Sequence, residues 1–431
     1  MRRPRRAGLW RHPDFVNLWA GSTISVFGTL VGRTALPFAA ILTLDASPFE
    51  IALLAQADLI PGFLFGLVAG VWVDRLPRRP IMIAADIGRA LLLGLIPLAA
   101  VLDVLSLGLI YAVAALTSVL SAFFDVAYQS YLPSLVSRDE LVEGNSKLSA
   151  SASVAEVAAF GSGGWLVHLL TAPIAILIDA LSFVASAFFI LRIRTPELPP
   201  VPSHEREEAW REAVAGLRIV LGNATLRALA VCNFTWNLGF RMGGTVFILY
   251  VTRELGLGTG PQGMIYAVGG VSSLLGAVAT GPATRRWGPG PTLIATLFLA
   301  AVGQLFIPLA GVATTTAIVV AFLVAQQLTV DPALTAFDIT QVSLRQAMAP
   351  LAVQGRVNAT MRFTEFGAQL IGAAIGGVLG GTIGLRPTLV VASGGVVLAA
   401  LLLLLSPVRR LREPVAPSLD AEEFPPITEL P

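Results

Sequence analysis

The chain has few of the residues from which most catalytic and metal sites are built. Its single cysteine, Cys232, excludes an internal disulfide and a cysteine-rich metal site. The three histidines, His12, His168 and His204, lie far apart and form no His-Glu-x-x-His pair. No Gly-x-x-x-x-Gly-Lys-Ser/Thr loop occurs, which disfavours a pump driven directly by ATP. We therefore expect neither an enzyme nor a protein with a bound metal or cofactor.

Charged residues are also scarce. They make up 13% of the 431 residues, against roughly 25% in soluble domains, while 55% are hydrophobic and the mean hydropathy is +0.76. This composition excludes an ordinary soluble enzyme. With 29 basic and 27 acidic side chains the net charge is only +2, and we expect no nucleic-acid partner.

Twelve apolar runs fill the chain, each near the ~20 residues that a helix needs to cross ~30 Å of hydrocarbon. The approximate spans are 15–41, 48–73, 81–102, 105–130, 147–170, 172–192, 225–252, 262–283, 290–311, 313–340, 358–381 and 384–406. The sequence predicts an all-α membrane protein of twelve transmembrane helices in two six-helix bundles. We therefore expect the lipid bilayer to be a partner of the protein.

The polar stretches between and after these runs predict the domain boundaries. Residues 1–192 form the first bundle and 225–406 the second, joined by a cytoplasmic linker at 193–224 that is rich in proline and then becomes a surface helix. A disordered cytoplasmic tail follows at 407–431. Arginines concentrate in the N-terminal segment, the linker and every second short loop, so we expect both termini to be cytoplasmic in a multi-pass protein of the cell (inner) membrane.

Residues 70–80, Gly-Val-Trp-Val-Asp-Arg-Leu-Pro-Arg-Arg-Pro, form a charged hairpin between two apolar runs. A shift of 213 residues places Phe124-Asp125 on Phe337-Asp338 and Asn145 on Asn358, which indicates an internal duplication. With a shift of 211 residues the hairpin falls on residues 281–286, where arginines remain but Arg285 replaces the acid. The complete hairpin is therefore present only once.

This hairpin resembles the loop motif of the major facilitator superfamily, Gly-x-x-x-Asp-Arg-x-Gly-Arg-Lys. The matching positions are Gly70, Asp74, Arg75 and Arg78, with Arg79 as a conservative change and Pro77 in place of the second glycine. The resemblance implies that Asp74, Arg78 and Asp125 form a charge relay that gates the cytoplasmic side. Residues 15–25 also resemble the start of bacterial exporters of the enterobactin and macrolide type.

Four of the predicted helices, the first, fourth, seventh and tenth, carry polar residues three or four apart, which places them on one helical face. The superfamily's central cavity is lined by these same four helices. We take as substrate-cavity candidates Ser25, Thr29, Ser121, Asn233, Trp236, Asn237 and Gln327. The alternative is that these side chains only join helices to one another, and core packing is the commoner use of a tryptophan such as Trp236.

Ionisable residues within the spans are the candidates for proton coupling. Arg33 and Asp58 lie at similar depth on the first two helices, and we expect them to pair, with Asp58 as the proton-binding group. A static structural ion pair is equally compatible with the sequence. Arg241 and Asp331 form an analogous pair in the second half, where Pro332 is expected to break the helix.

The remaining ionisable residues of the spans are given structural roles. Glu156 and Glu365 are expected to act in packing or gating. Asp86, Arg89 and Asp179, near predicted helix ends or on outer helices, are expected to snorkel or to brace neighbouring helices. Gly372, Gly376 and Gly380 have small-residue spacing that permits close helix packing.

Together these features predict a secondary transporter, acting as a monomer, that exports a small amphipathic or apolar molecule such as a drug, an antibiotic or a siderophore. The energy would come from a proton gradient, by antiport. One alternative is a facilitator or importer of a nutrient or a lysolipid. Another, from a different class, is a membrane receptor or structural protein.

Overall fold

The computed structural model describes residues 9–73, 76–136, 140–197, 216–349 and 351–412. Within them, twelve long helices follow one another along the chain. They are α1 (Pro13–Thr43), α2 (Pro48–Val73), α3 (Arg78–Val101), α4 (Leu107–Leu135), α5 (Leu141–Leu170), α6 (Ala172–Leu191), α7 (Ala224–Leu249), α8 (Thr259–Trp287), α9 (Pro289–Gln304, continued by Phe306–Ala310), α10 (Thr316–Met348), α11 (Leu351–Thr382) and α12 (Leu385–Leu405).

The length and apolar character of these helices suit a membrane. In the described part of the chain, ten helices could cross a bilayer, or up to twelve spans if each of two bent pairs counts as one. The bent pairs are Glu143–Ala159 with Ser162–Leu170, and Gly216–Gly222 with Ala224–Glu254. The prediction of an all-α membrane protein with twelve helices is confirmed.

Several helices extend beyond the apolar spans. The helix α10 continues to Met348, and α5 and α11 begin at Leu141 and Leu351. Hydropathy locates the part of a helix that fits the hydrocarbon, whereas backbone hydrogen bonding continues into polar sequence beyond it. The predicted spans therefore mark the helix centres more accurately than the ends.

The predicted break of the tenth helix at Pro332 is wrong, since α10 continues through it. Proline removes one backbone donor, but packing against a neighbouring helix lets a membrane helix tolerate it. Here Gly276 of α8 lies directly against the Pro332 backbone, where a Cβ atom on the glycine would be only 2.5 Å from the proline Cα. Thr335 also donates a hydrogen bond to the Asp331 carbonyl, at 2.9 Å.

The chain folds as two compact units. Unit 1 contains Met1–Ser203 with Leu257–Ala267, and unit 2 contains His204–Gly256 with Val268–Pro431. In unit 1, α1 packs on α5 and α6, and α3 packs on α4 and α6; in unit 2, α7 packs on α11 and α12, and α9 on α10 and α12. The same pairings thus recur six helices later, as a duplicated sequence requires.

The duplication is also visible at single residues. Phe124 lies in the hydrophobic core of unit 1 and Phe337 in that of unit 2. The residue after each, Asp125 or Asp338, is exposed. The two halves therefore place a phenylalanine inward and an aspartate outward at equivalent positions of α4 and α10.

Candidate functional site

The charged hairpin is described only in part. Asp74 and Arg75 lie outside the described residues, and Gly70 belongs to the last turn of α2. Arg78 and Arg79 begin α3, and their backbone N–H groups donate to the two carboxylate oxygens of Glu197, each at 2.6 Å. The carboxylate thus caps the N-terminus of α3, where the helix dipole favours negative charge.

Arg79 adds a second connection between α3 and α6. Its guanidinium donates to the carbonyls of Ile190 at 3.1 Å and Leu191 at 2.7 Å, in the last turn of α6. Farther along the same segment, Asp14 at the start of α1 accepts hydrogen bonds from the backbone of Arg194 and from Thr195. The segment that follows α6 therefore holds the N-termini of α1 and α3.

The two acids that hold these N-termini, Asp14 and Glu197, are not predicted from the sequence, although each lies near a predicted helix end. Replacing Glu197 with glutamine is expected to lower the free energy of unfolding by about 1 kcal/mol, because the amide offers one good acceptor and no charge to the two N–H groups. The measurement is the Tm of the purified protein in detergent. The matched control is Glu143→Gln, which removes only a surface pair with Lys147 at 3.3 Å and should cost about 0–0.5 kcal/mol. Equal losses in the two variants would contradict a capping role.

A buried arginine in the middle of unit 1 has more partners than any sequence pattern indicated. Arg89 of α3 is 3% exposed and forms an ion pair with Asp86, which is fully buried, at 2.5 Å. It also donates to the Ser121 hydroxyl of α4 at 3.3 Å. Of the two roles expected for Asp86 and Arg89, snorkelling or bracing, the structure favours bracing, because α3 packs on both α4 and α6 and Arg89 joins α3 to α4 through Ser121.

Two aromatic rings cover the guanidinium. The Arg89 Cζ atom lies 4.3 Å from the ring centroid of Phe124 on α4 and 4.0 Å from that of Phe183 on α6. Cation–π attraction is strongest where water is excluded, as it is here. The two ring faces and the Asp86 carboxylate fix the position of the positive charge.

Two further carboxylates lie within electrostatic range of this guanidinium, those of Asp125 and Asp179. We call Asp86, Arg89, Asp125 and Asp179 the Arg89 cluster. Asp179 of α6 is 4% exposed and lies against α1, which again favours bracing over snorkelling, whereas Asp125 is exposed. The predicted relay between Asp74, Arg78 and Asp125 stays a prediction, and Arg89 is a cation within electrostatic range of Asp125.

The approach of α1 to α6 holds Asp179 in place. A Cβ atom added to Gly32 would lie 2.8 Å from the Asp179 Cγ, and one added to Gly28 would lie 3.0 Å from its Oδ1. Only glycine at these positions leaves room for the carboxyl group. The cluster thus has walls from α1, α3, α4 and α6.

The predicted pairs of ionisable residues are not formed. In the described ranges no ion pair joins Arg33 to Asp58 or Arg241 to Asp331. The reason is packing: α1 packs on α5 and α6 while α2 packs on α4, and α7 packs on α11 and α12 while α10 packs on α9. Arg33 is exposed and Asp58 half-buried, with the Asp58 carbonyl accepting from Ser118.

In unit 2 a row of amides joins α7 to α11. Asn237 donates to the carbonyl and the side-chain oxygen of Asn233, both at 2.9 Å. Gln369 donates to Asn237 at 3.4 Å and to Glu365 at 3.3 Å. This row contains the cavity candidates Asn233 and Asn237, and Gln369, which the sequence does not predict, continues it.

The other cavity candidates have various surroundings. Trp236 belongs to the core of unit 2, with its ring 4.7 Å from that of Phe240, which favours the packing interpretation. Gln327 and Asp331 of α10 both lie against Gly269 of α8. In unit 1, Ser25 is buried and Thr29 half-buried on α1.

Comparison with known proteins identifies relatives across nearly the whole length. The sequence model of the Major Facilitator Superfamily matches residues 18–366. The chain is 26% identical to the multidrug efflux pump Tap of Mycolicibacterium fortuitum, over 94% of this chain and 97% of that protein. It is 24% identical to the enterobactin exporter EntS of Citrobacter koseri, over 94% of each chain.

Solved structures show the same fold. A bacterial homologue of the iron transporter ferroportin in its inward-facing state has a TM-score of 0.71 at 20% identity, covering 90% of this chain and 98% of that one. The nucleoside transporter NupG has a TM-score of 0.70 at 12% identity, covering 91% and 98%. At such identities the likeness establishes the fold of the chain and not its cargo.

Proposed function

The chain belongs to the major facilitator superfamily, and from this membership we propose that it exports a small amphipathic or apolar molecule, such as a drug, an antibiotic or a siderophore, in exchange for protons. Its relatives are transporters rather than enzymes, and several are efflux proteins. The observation that carries export is the similarity to Tap and EntS over 94% of this chain.

The polar groups of the candidate pathway agree with such a cargo. They are neutral amides and hydroxyls, among them Asn233, Asn237 and Ser121, surrounded by apolar helices. A phosphorylated substrate would call for several converging basic side chains, whereas an amphipathic molecule needs a few placed hydrogen-bonding groups in an apolar site.

Proton exchange is supported by the carboxylates within the spans. Asp58 remains a proton-binding candidate, and the Arg89 cluster supplies three more carboxylates. Repeated protonation of such groups can shift a transporter between two states that differ by a few kcal/mol. We place both termini in the cytoplasm of a monomeric protein of the cell membrane, with Asp74, Arg78 and Asp125 as its gate.

Efflux from everted membrane vesicles tests this proposal. We expect vesicles with the overproduced protein to accumulate ethidium or erythromycin when their interior is acidified, and to lose the accumulated probe when a protonophore collapses the gradient. Vesicles without the protein are the control. Movement of the probe in the opposite direction would favour an importer, and absence of flux for both probes would contradict export of this class of molecule.

A further inference from the structure

We propose that the Arg89 cluster is the proton-binding site of the transporter, with Asp179 as the residue that carries the proton. This inference rests on the proposed function, because it names the residue through which proton exchange occurs. From hydropathy and helix position alone, Asp179 is expected only to snorkel or to brace neighbouring helices.

The first argument is the charge of the cluster. One guanidinium, that of Arg89, forms an ion pair with Asp86 and lies within electrostatic range of Asp125 and Asp179. Full ionisation would leave two negative charges uncompensated, with Asp86 and Asp179 almost completely buried. Burial of an uncompensated charge is strongly unfavourable, and a carboxylate in that position neutralises by taking up a proton.

The hydrogen bonds indicate which carboxylate takes it. The Asp86 carboxylate accepts a hydrogen bond from the Arg89 guanidinium at 2.5 Å and remains its counterion. Among the described residues, Asp179 accepts a side-chain hydrogen bond only from the Ser182 hydroxyl, at 3.5 Å, and that hydroxyl already donates to the Asp179 carbonyl at 2.7 Å. The least compensated of the two buried carboxylates is therefore Asp179.

The ion pair does not use all of its hydrogen-bonding atoms. Among the described residues, Oδ2 of Asp86 and Nε of Arg89 have no hydrogen bond of good geometry, although the Ser186 hydroxyl lies close to the Asp86 carboxylate. A buried polar atom without a partner calls for an explanation. In this proposal, these atoms form new hydrogen bonds when Asp179 gains or loses its proton.

Each helix around the cluster presents defined groups to it. The helix α3 contributes Asp86 and Arg89, and α6 contributes Asp179. The helix α4 presents Asp125 and, within range of it, the Tyr128 hydroxyl, while α1 faces Asp179 with Gly28 and Gly32.

Access and coupling follow from α4. Asp125 is exposed while Asp179 is buried, and Arg89 lies within electrostatic range of both. In this proposal the proton therefore reaches Asp179 by way of Asp125. Ser121, a cavity candidate one helical turn before Asp125, accepts a hydrogen bond from Arg89. A cargo molecule that engages Ser121 would therefore shift the guanidinium and change how well it compensates Asp179.

Infrared difference spectroscopy on the purified full-length protein tests the site without a substrate. At neutral pH we expect the carbonyl stretch of a protonated, buried carboxylic acid in the wild type and its loss in Asp179→Asn. The matched control is Asp103→Asn, at an exposed turn whose left-handed backbone asparagine also adopts. A signal that persists in Asp179→Asn, a wild type without the signal, or a signal lost only in Asp58→Asn would overturn the proposal.

A transport measurement links the site to coupling. In proteoliposomes, Asp179→Asn should still exchange ethidium down its own gradient but lose at least tenfold in accumulation driven by a pH gradient, while Asp103→Asn keeps both. Unchanged pH-driven accumulation in Asp179→Asn would refute the coupling role.

If the wild type moves no ethidium or erythromycin, the proposed function fails, and the infrared result still decides where the proton binds. Should Asp179→Asn not yield folded protein, Asp125→Asn, which leaves the Asp86 pair intact, is expected to lose pH-driven accumulation as well.

Discussion

Replacing Arg89 with methionine is expected to lower the free energy of unfolding by about 3–5 kcal/mol. The methionine fills a similar volume between the Phe124 and Phe183 rings, so the loss comes from charge. Asp86, fully buried, would lose its ion pair, and its carboxyl group would either stay charged without a cation or take up a proton, both of which cost free energy. The change also removes two cation–π contacts.

Denaturant or thermal unfolding in detergent measures this effect. The control Arg33→Met removes an exposed arginine and should change stability by less than about 0.5 kcal/mol. The double variant Arg89→Met with Asp86→Asn should be more stable than Arg89→Met alone, because it removes the stranded charge together with its partner. A single variant within about 1 kcal/mol of the wild type would contradict the role of the pair.

Replacing Gly376 with leucine is expected to prevent α7 and α11 from packing, with a loss of about 3 kcal/mol or more and little folded protein in the membrane. A Cβ atom at Gly376 would lie 3.1 Å from the Cα of Met242, and one at Gly372 would lie 3.2 Å from that of Leu238. These are backbone atoms of α7, so no side-chain rotation relieves the clash. The prediction that this glycine row permits close helix packing is supported, and the helix that packs on it is α7.

Two glycines of the same helix provide the comparison. A Cβ atom at Gly367 or Gly381 meets nothing within 4 Å, so Gly367→Leu and Gly381→Leu should express and remain monodisperse. Fluorescence-detected size exclusion compares the yield and monodispersity of the three variants, produced under the same conditions. Equal yields of all three would show that α7 and α11 tolerate separation at this point.

The fold was largely predictable because hydropathy and length determine which segments can cross a membrane. All twelve predicted spans are helices, and the aligned Phe124-Asp125 and Phe337-Asp338 pairs occupy equivalent positions. The helix ends were less predictable, since a helix continues past the apolar segment at no great cost. Pro332 was misread for a related reason: its tolerance depends on Gly276, a residue of another helix.

The candidate site was predicted only in part. That the polar residues of α1, α4, α7 and α10 line a substrate cavity stays a prediction, and Ser121 does contact an ionisable group. The partners of Arg89 could not be predicted, because helical periodicity shows which residues share a face but not what that face packs on. The proposed pairs of Arg33 with Asp58 and of Arg241 with Asp331 failed because depth in the membrane does not determine which helices are neighbours.

The sequence by itself determined the class of protein, the number and order of its helices and its duplication, since each depends on properties carried along one segment at a time. The tertiary structure decided which charges meet: Arg89 with Asp86, Asp125 and Asp179, and Glu197 with the start of α3. The physical reason is that electrostatic energy depends on distance in space and on burial, and both are set by the packing of helices that are far apart in the chain.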